Sequence, residues 1–216
     1  MTKTFDFYFS FRSPYSYLAT PMVSALMARY DIAPRMRVVM PIAVRIPGFF
    51  KTVNPLWPPY LARDTYRIAQ MNAIPYRWPR PDPVVMDMGS GEVPAAQPYI
   101  HRICRLGVAA TRAGKGFAFI KAAAHAIWSG QTDNWHEGEH LADAAAQAGL
   151  DLTRLERVIS DEAETLDAEI TANEADQKAA GHWGVPLFVY EGEAFFGQDR
   201  LDHLIWRMQQ SGLTER

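Results

Sequence analysis

The β-forming residues of this chain are gathered at its two ends, with a helical stretch between them. Near the start, Phe5-Asp6-Phe7-Tyr8-Phe9 is a short aromatic run, and Arg35-Met36-Arg37-Val38-Val39-Met40 alternates basic and apolar residues before turning β-branched. Each reads as a strand. Near the finish, residues 185–190 and Ala194-Phe195-Phe196 flank Glu191-Gly192-Glu193, the pattern of a β-hairpin. Ser10-Phe11-Arg12-Ser13-Pro14 closes the first strand and opens a helix, because a proline suits a first turn whose N–H is not needed. That helix carries Tyr17, Leu18, Met22, Leu26 and Met27 to about residue 30. Strand, helix and strand together open a parallel α/β sheet.

Residues 41–59 are punctuated by Pro41, Pro47, Pro55, Pro58 and Pro59, so loop precedes a helix over 60–71. A second proline cluster (Pro75, Pro79, Pro81, Pro83) separates it from helices expected over 94–114, 117–129 and 137–148. Leu152, Leu155, Val158, Ile159 and Leu166 predict a further amphipathic helix with Asp151 as its N-cap. A last helix begins at Asp199 and presents Leu201, Leu204, Ile205 and Met208 on one face. The expected division is one α/β unit from residues 1–44 and 181–216, joined by the end of the 151–180 helix, with residues 45–180 as a helical insertion.

Composition narrows the function classes. Of 216 residues, 48% are hydrophobic and 21% charged, enough to bury a core and too apolar for a disordered chain. The net charge of −2 gives no general attraction to nucleic acid or an anionic membrane. No apolar run is long enough to span a bilayer. The opening Met1-Thr2-Lys3-Thr4-Phe5-Asp6 lacks the apolar stretch of a signal peptide, and a single cysteine points to a reducing compartment. The expectation is a cytoplasmic protein.

Ser13-Pro14-Tyr15-Ser16 starts a helix directly after the first strand, where backbone N–H groups are free and the helix dipole favours an anion. In strand, C-x-x-C, helix proteins a thiolate is stabilised at this place. Both cysteine positions are serine here and Cys104 lies far away, so the chain runs no dithiol cycle of its own, but it could hold a thiolate supplied from outside. The plainer role for Ser13 is that of a helix cap. Gly184-Val185-Pro186 precedes a strand, where a cis X-Pro bond would turn the Val185 backbone groups outward towards an extended peptide, and where a trans proline would simply start an edge strand. Asp199, at the last helix start, could cap that helix or accept from a ligand's ammonium group.

Other motifs compete. His136-Glu137-Gly138-Glu139-His140 matches the H-E-x-x-H zinc pattern, yet Gly138 weakens a helix there and no third ligand is evident. Asn134 with Glu137 reads equally as a capping box. No metal is expected. Met86-Asp87-Met88 reads as packing or loop, and His101, His125, His182 and His203 show no partners.

Asp6-Phe7-Tyr8-Phe9 followed by Ser13-Pro14-Tyr15-Ser16-Tyr17-Leu18-Ala19 resembles the opening of the 2-hydroxychromene-2-carboxylate isomerases, relatives of the kappa-class glutathione transferases within the DsbA-like thioredoxin superfamily. Gly184-Val185-Pro186 and Phe196-Gly197-Gln198-Asp199-Arg200-Leu201 resemble their closing segment. Phe50-Lys51-Thr52-Val53-Asn54, Tyr60-Leu61-Ala62-Arg63-Asp64, Ala126-Ile127-Trp128 and Asn173-Glu174-Ala175 fall between in the expected order. The resemblance implies a thioredoxin-like α/β fold with a large helical insertion, a homodimer, a small-molecule substrate and glutathione as cofactor. It makes Ser13 the catalytic residue contacting the glutathione sulfur, with Asn54, Val185, Pro186, Gln198, Asp199 and Arg200 as cofactor-binding residues and the Asp199–Arg200 pair by the γ-glutamyl end. Arg45 and Arg12 are the candidates towards the substrate. Ser10 and Arg12 replace the aspartate and apolar residue usual in the family, and the loop after Asn54 is shortened, with Pro55 following. The activity implied is a glutathione-dependent isomerisation of an aromatic-pathway compound; the alternatives are a kappa-like glutathione transferase or a non-enzymatic glutathione or peptide binder.

Overall fold

The computed structural model describes residues 2–87 and 89–216. Met1 of the opening stretch and Met88 of the Met86-Asp87-Met88 segment lie outside the described residues. Strand β1 (Lys3–Phe9) runs parallel to β2 (Ile32–Val38), while β3 (Leu187–Tyr190) is antiparallel to β1 and β4 (Glu193–Phe196) antiparallel to β3. The strand order is β2-β1-β3-β4, so both chain ends build one sheet.

Alternation along β1 explains its central place. Phe5, Phe7 and Phe9 are buried on one face, where Phe7 and Phe188 pack with ring centroids 4.8 Å apart. Tyr8 points to the other face with Val39, Leu187 and Val189. A strand covered on both faces carries apolar residues on both. Asp6 is paired with Arg35 in register and accepts from Arg35 and Arg37, which is why basic residues alternate in β2. β2 starts three residues before the expected Arg35. Pro34 is tolerated because β2 is an edge strand, where no outer ladder bond is lost. The hairpin turn is Glu191-Gly192 with φ of 49° and 83°. Positive φ at both turn residues is the type I′ geometry that matches strand twist.

Helix α1 (Pro14–Arg29) joins β1 to β2. The proline-punctuated stretch holds two single-turn helices, α2 (Ile42–Arg45) and α3 (Phe49–Thr52). Helix α4 (Trp57–Met71) begins before the expected residue 60, because Pro58 and Pro59 sit in its first turn. The next helix, α5 (Ile100–Arg112), starts later than the expected residue 94, after a loop containing the cis Arg80–Pro81 bond. Then follow α6 (Gly116–Trp128), α7 (His140–Gln147), α8 (Leu152–Asp161) and α9 (Ala163–Ala179). The single helix expected from Leu152 to Leu166 is therefore two, divided at Glu162, and Asp151 caps the first by accepting from the Arg154 N–H at 2.8 Å. A 3₁₀ turn (Gln198–Arg200) leads into α10 (Leu201–Gln210).

Two buried aromatic bonds fix α1 and the loop before it. The Trp128 indole donates to the Phe11 carbonyl at 2.8 Å, and the Tyr17 hydroxyl donates to the Pro75 carbonyl at 2.6 Å. At the far end of α1 the chain ends meet. The Lys3 N–H donates to Asp31 O, the Arg216 N–H donates to Arg29 O, and Glu215 bridges Tyr30. Among the described residues no helix is long and apolar enough to cross a membrane.

Candidate active site

Ser13 has extended backbone (φ −93°, ψ 113°) and caps α1, its Oγ accepting from the Ser16 N–H at 3.1 Å. The capping role is thus real. It uses only a lone pair of the oxygen, and the hydroxyl proton points across to the Val185 carbonyl at a long 3.4 Å. Of the two alternatives that the sequence left open at Val185–Pro186, the structure has the cis bond. The Val185 N–H makes no hydrogen bond among the described residues. The Pro186 carbonyl accepts from the Gly197 N–H at 2.9 Å, which ties the 3₁₀ turn to the same edge. Ser13, Val185, Pro186 and the Gln198–Arg200 turn are therefore gathered at one end of the sheet. Ser10 and Ser16, on either side of Ser13, are both buried, and their hydroxyls lack partners among the described residues.

The other candidate residues are placed differently. Asn54 is exposed and its side-chain oxygen accepts from the Leu56 N–H at 3.0 Å, so it shapes the turn before α4. Asp199 does not cap α10; its carboxylate pairs with the neighbouring Arg200 at 3.1 Å, and both are exposed. Arg12 is buried and forks onto Asp82, with N···O distances of 2.8 and 3.0 Å, and its guanidinium lies 5.4 Å from the Phe50 ring centre. Asp82 also accepts from the Val84 N–H and the Trp78 indole. Arg45 donates to Gln177 Oε1 at 2.9 Å and to the Trp183 carbonyl at 2.6 Å. Burial lowers its pKa, with Glu174 acting in the opposite sense.

Sequence reasoning missed an aromatic surround. Phe49, Phe50, Trp57 and Trp183 pack edge to face or stacked with centroids 5.2–6.3 Å apart. Phe50 touches the residue before Ser13, and Trp183 lies two residues before Val185. The density of aromatics between Phe49 and Tyr60 was the available signal. Tyr15, in the first turn of α1, donates to Asp64 on α4 at 2.8 Å; burial and that carboxylate push its pKa up, so it is held as a neutral donor. Among the described residues Ser13 makes no bond to a histidine or carboxylate that could take its proton.

The H-E-x-x-H segment is not a helix. Residues 136–139 are turns, α7 starts only at His140, and the two histidines do not share a helical face. Asn134 has φ of 53° and forms a turn, so it caps nothing. His136 packs against Tyr99 and Trp135 instead.

A four-stranded mixed sheet with a helix N-terminus facing a cis proline defines a thioredoxin-type fold, here with hydroxyls where disulfide exchangers carry thiols. The sequence matches the DSBA-like thioredoxin domain over residues 4–209, and the chain belongs to that family. A 2-hydroxychromene-2-carboxylate isomerase from Sphingobium xenophagum is 30% identical over 208 residues, covering 94% of this chain and 97% of that protein. A solved 2-hydroxychromene-2-carboxylate isomerase superposes with a TM-score of 0.67 at 24% identity, over 96% of this chain and 95% of the other. The cytosolic disulfide reductase DsbM from Pseudomonas aeruginosa, solved with GSH, gives a TM-score of 0.58 at 18% identity over 96% and 99% of the two chains.

Proposed function

We propose that the protein is a glutathione-dependent isomerase of the 2-hydroxychromene-2-carboxylate type, a cytoplasmic homodimer acting on a small aromatic-pathway substrate. One observation carries this reading: the Ser13 hydroxyl stands at a helix start opposite the Val185 backbone, while Cys104 is fully buried in α5 with its thiol pKa pushed up by burial. A site of this build has no usable thiol of its own and suits one brought in from outside. The free Val185 N–H, the partly exposed edge around it and the exposed Asp199 carboxylate fit a tripeptide with a terminal ammonium group. The name of the Sphingobium relative supports an isomerase.

Bound glutathione would supply a nucleophilic thiolate that is regenerated each turn. Ser13 donates to the sulfur anion, and the free N–H groups and dipole of α1 favour the same charge. Val185 pairs with the central residue of the tripeptide through its N–H and C=O. Asp199 and Arg200 take the γ-glutamyl end, and Asn54 borders the site. Phe49, Phe50, Trp57 and Trp183 offer flat apolar surfaces to an aromatic ring. Arg12 and Arg45 already have protein partners, so we assign them to the walls of the site.

The test is an assay of the purified protein with glutathione and 2-hydroxychromene-2-carboxylate, following both the substrate spectrum and the free thiol titre. Isomerisation with the thiol titre unchanged is the expected result. Stoichiometric loss of thiol would make the protein a transferase, binding without turnover a non-enzymatic binder, and absence of binding would overturn the reading.

A further inference from the structure

The short stretch before β3 is irregular backbone held by side chains. The Gly184 N–H donates to His182 Nδ1 at 2.8 Å, and the Gly184 carbonyl accepts from Gln177 Nε2 at 2.6 Å. The Trp183 carbonyl accepts from Arg45 Nη2 at 2.6 Å, and a second Arg45 nitrogen reaches Gln177 Oε1 at 2.9 Å. Gln177 is completely buried. Backbone outside a ladder needs such partners when it is buried, and here they arrive from α2, from α9 and from the loop itself. The packing is close: a Cβ on Gly184 would lie 2.4 Å from the Phe196 ring and 2.9 Å from the His182 ring.

We propose that Arg45, Gln177 and His182 form a clamp on the 183–184 backbone and are positioning residues for the Val185 main-chain groups that face the ligand. The inference rests on the tripeptide reading above and adds to it the residues that set the geometry of the binding edge. Both terminal nitrogens of the Arg45 head donate to the clamp, which accounts for its depth in the site without a substrate carboxylate.

The clamp has a titratable end. Only a neutral imidazole can accept the Gly184 N–H at Nδ1; a protonated ring has no lone pair there. The groups facing the ring are the Trp183 indole and the Phe196 phenyl, at centroid distances of 5.5 and 3.8 Å. The charged residues on the nearby stretches of the surrounding elements include Arg45 of α2, Glu174, Asp176 and Lys178 of α9, Glu193 of β4, and Asp199 and Arg200 of the 3₁₀ turn, and among the described residues none of them pairs with His182. Burial shifts the His182 pKa downward.

The test compares wild type with Gln177→Leu, Gln177→Glu and His182→Asn by two readouts: hydrogen exchange at the Gly184 and Val185 amides without ligand, and glutathione affinity across pH 5–8. Asparagine places an acceptor two residues ahead of the Gly184 N–H, as in an Asx turn, but does not titrate. Gln177→Leu is expected to speed Gly184 exchange and weaken glutathione binding, each about tenfold. Should that variant fail to fold, Gln177→Glu, which keeps an acceptor for Arg45 but sets a carboxylate oxygen against the Gly184 carbonyl, is expected to show the same direction. Wild-type affinity should fall as His182 protonates, and His182→Asn should bind well with that fall removed. Unchanged exchange and affinity in the variants of a wild type that binds glutathione would overturn the clamp alone. A wild type that does not bind glutathione would overturn the tripeptide reading and, with it, the ligand assigned to the clamp.

Discussion

The Ser13 hydroxyl has one proton and two tasks, capping α1 and meeting whatever lies across the groove. Its lone pair serves the Ser16 N–H, and the weak 3.4 Å bond to Val185 O leaves the proton free to be redirected to a sulfur anion. The tasks can be separated. Ser13→Ala should cost about 1 kcal/mol of stability through the lost cap, whereas Ser13→Gly should cost only a few tenths, roughly. A hydrogen bond to a charged group contributes about 1.5–3 kcal/mol, so both variants should raise the pKa of the bound thiol by about 1–2 units. Thermal melts and a thiolate absorbance titration read the two effects, and an unchanged thiol pKa in Ser13→Gly would remove Ser13 as the anion's partner. Arg12, one residue earlier, poses a different question. Its guanidinium is buried and forked on Asp82. Removing one member of a buried pair strands the other, at a cost of about 3–5 kcal/mol. Asp82→Ala should therefore lower the melting temperature by on the order of 6–20 °C for a chain of this size, and a change below about 2 °C would show that the pair is idle.

Helix α4 meets α1 through a narrow contact, since only Thr65 and Ala69 of its fifteen residues are buried. The Tyr15 hydroxyl donating to Asp64 is thus a main tether between the two. Tyr15→Phe should destabilise the protein by about 1–2 kcal/mol, with faster amide exchange in α4 than in α1; exchange that stays equal would refute the tether. The elements that sequence made legible were those with local causes. Pro14 marked the start of α1, Asp151 its own helix start, and Glu191-Gly192 the hairpin turn. Ser13 and Val185-Pro186 drew notice as a helix start and an X-Pro step before a strand, but those letters alone left a plain cap and a trans proline open, and the family resemblance made them site candidates. Where the cause was distant, the reading faltered. The edge position of β2 admitted Pro34, and nothing near Arg35 revealed it. Arg12 and Asp82 lie 70 residues apart, and Arg45 and Trp183 lie 138 apart, so no periodicity connects them. The H-E-x-x-H letters had the right spacing but not the helix that gives the spacing its meaning.

At the scale of the molecule, the single cysteine of the sequence is out of reach. Cys104 is completely buried in α5 among Ile103, Leu106 and the strand core, and a thiol with a raised pKa and no solvent contact is a poor nucleophile. A thiol-specific reagent should label the native protein only as fast as it unfolds, and Cys104→Ala should retain glutathione-dependent turnover. Rapid labelling of folded protein, or loss of turnover in a folded Cys104→Ala, would contradict this. The meeting of the chain ends also bears on handling. Lys3, Glu215 and Arg216 are stitched to residues 29–31, at the last turn of α1, whereas Ser13 stands at its first. Sixteen helical residues span about 24 Å. A bead or sensor surface coupled to the face around Lys3 and Glu215 would thus hold the molecule by its back, with Ser13 turned towards the solution.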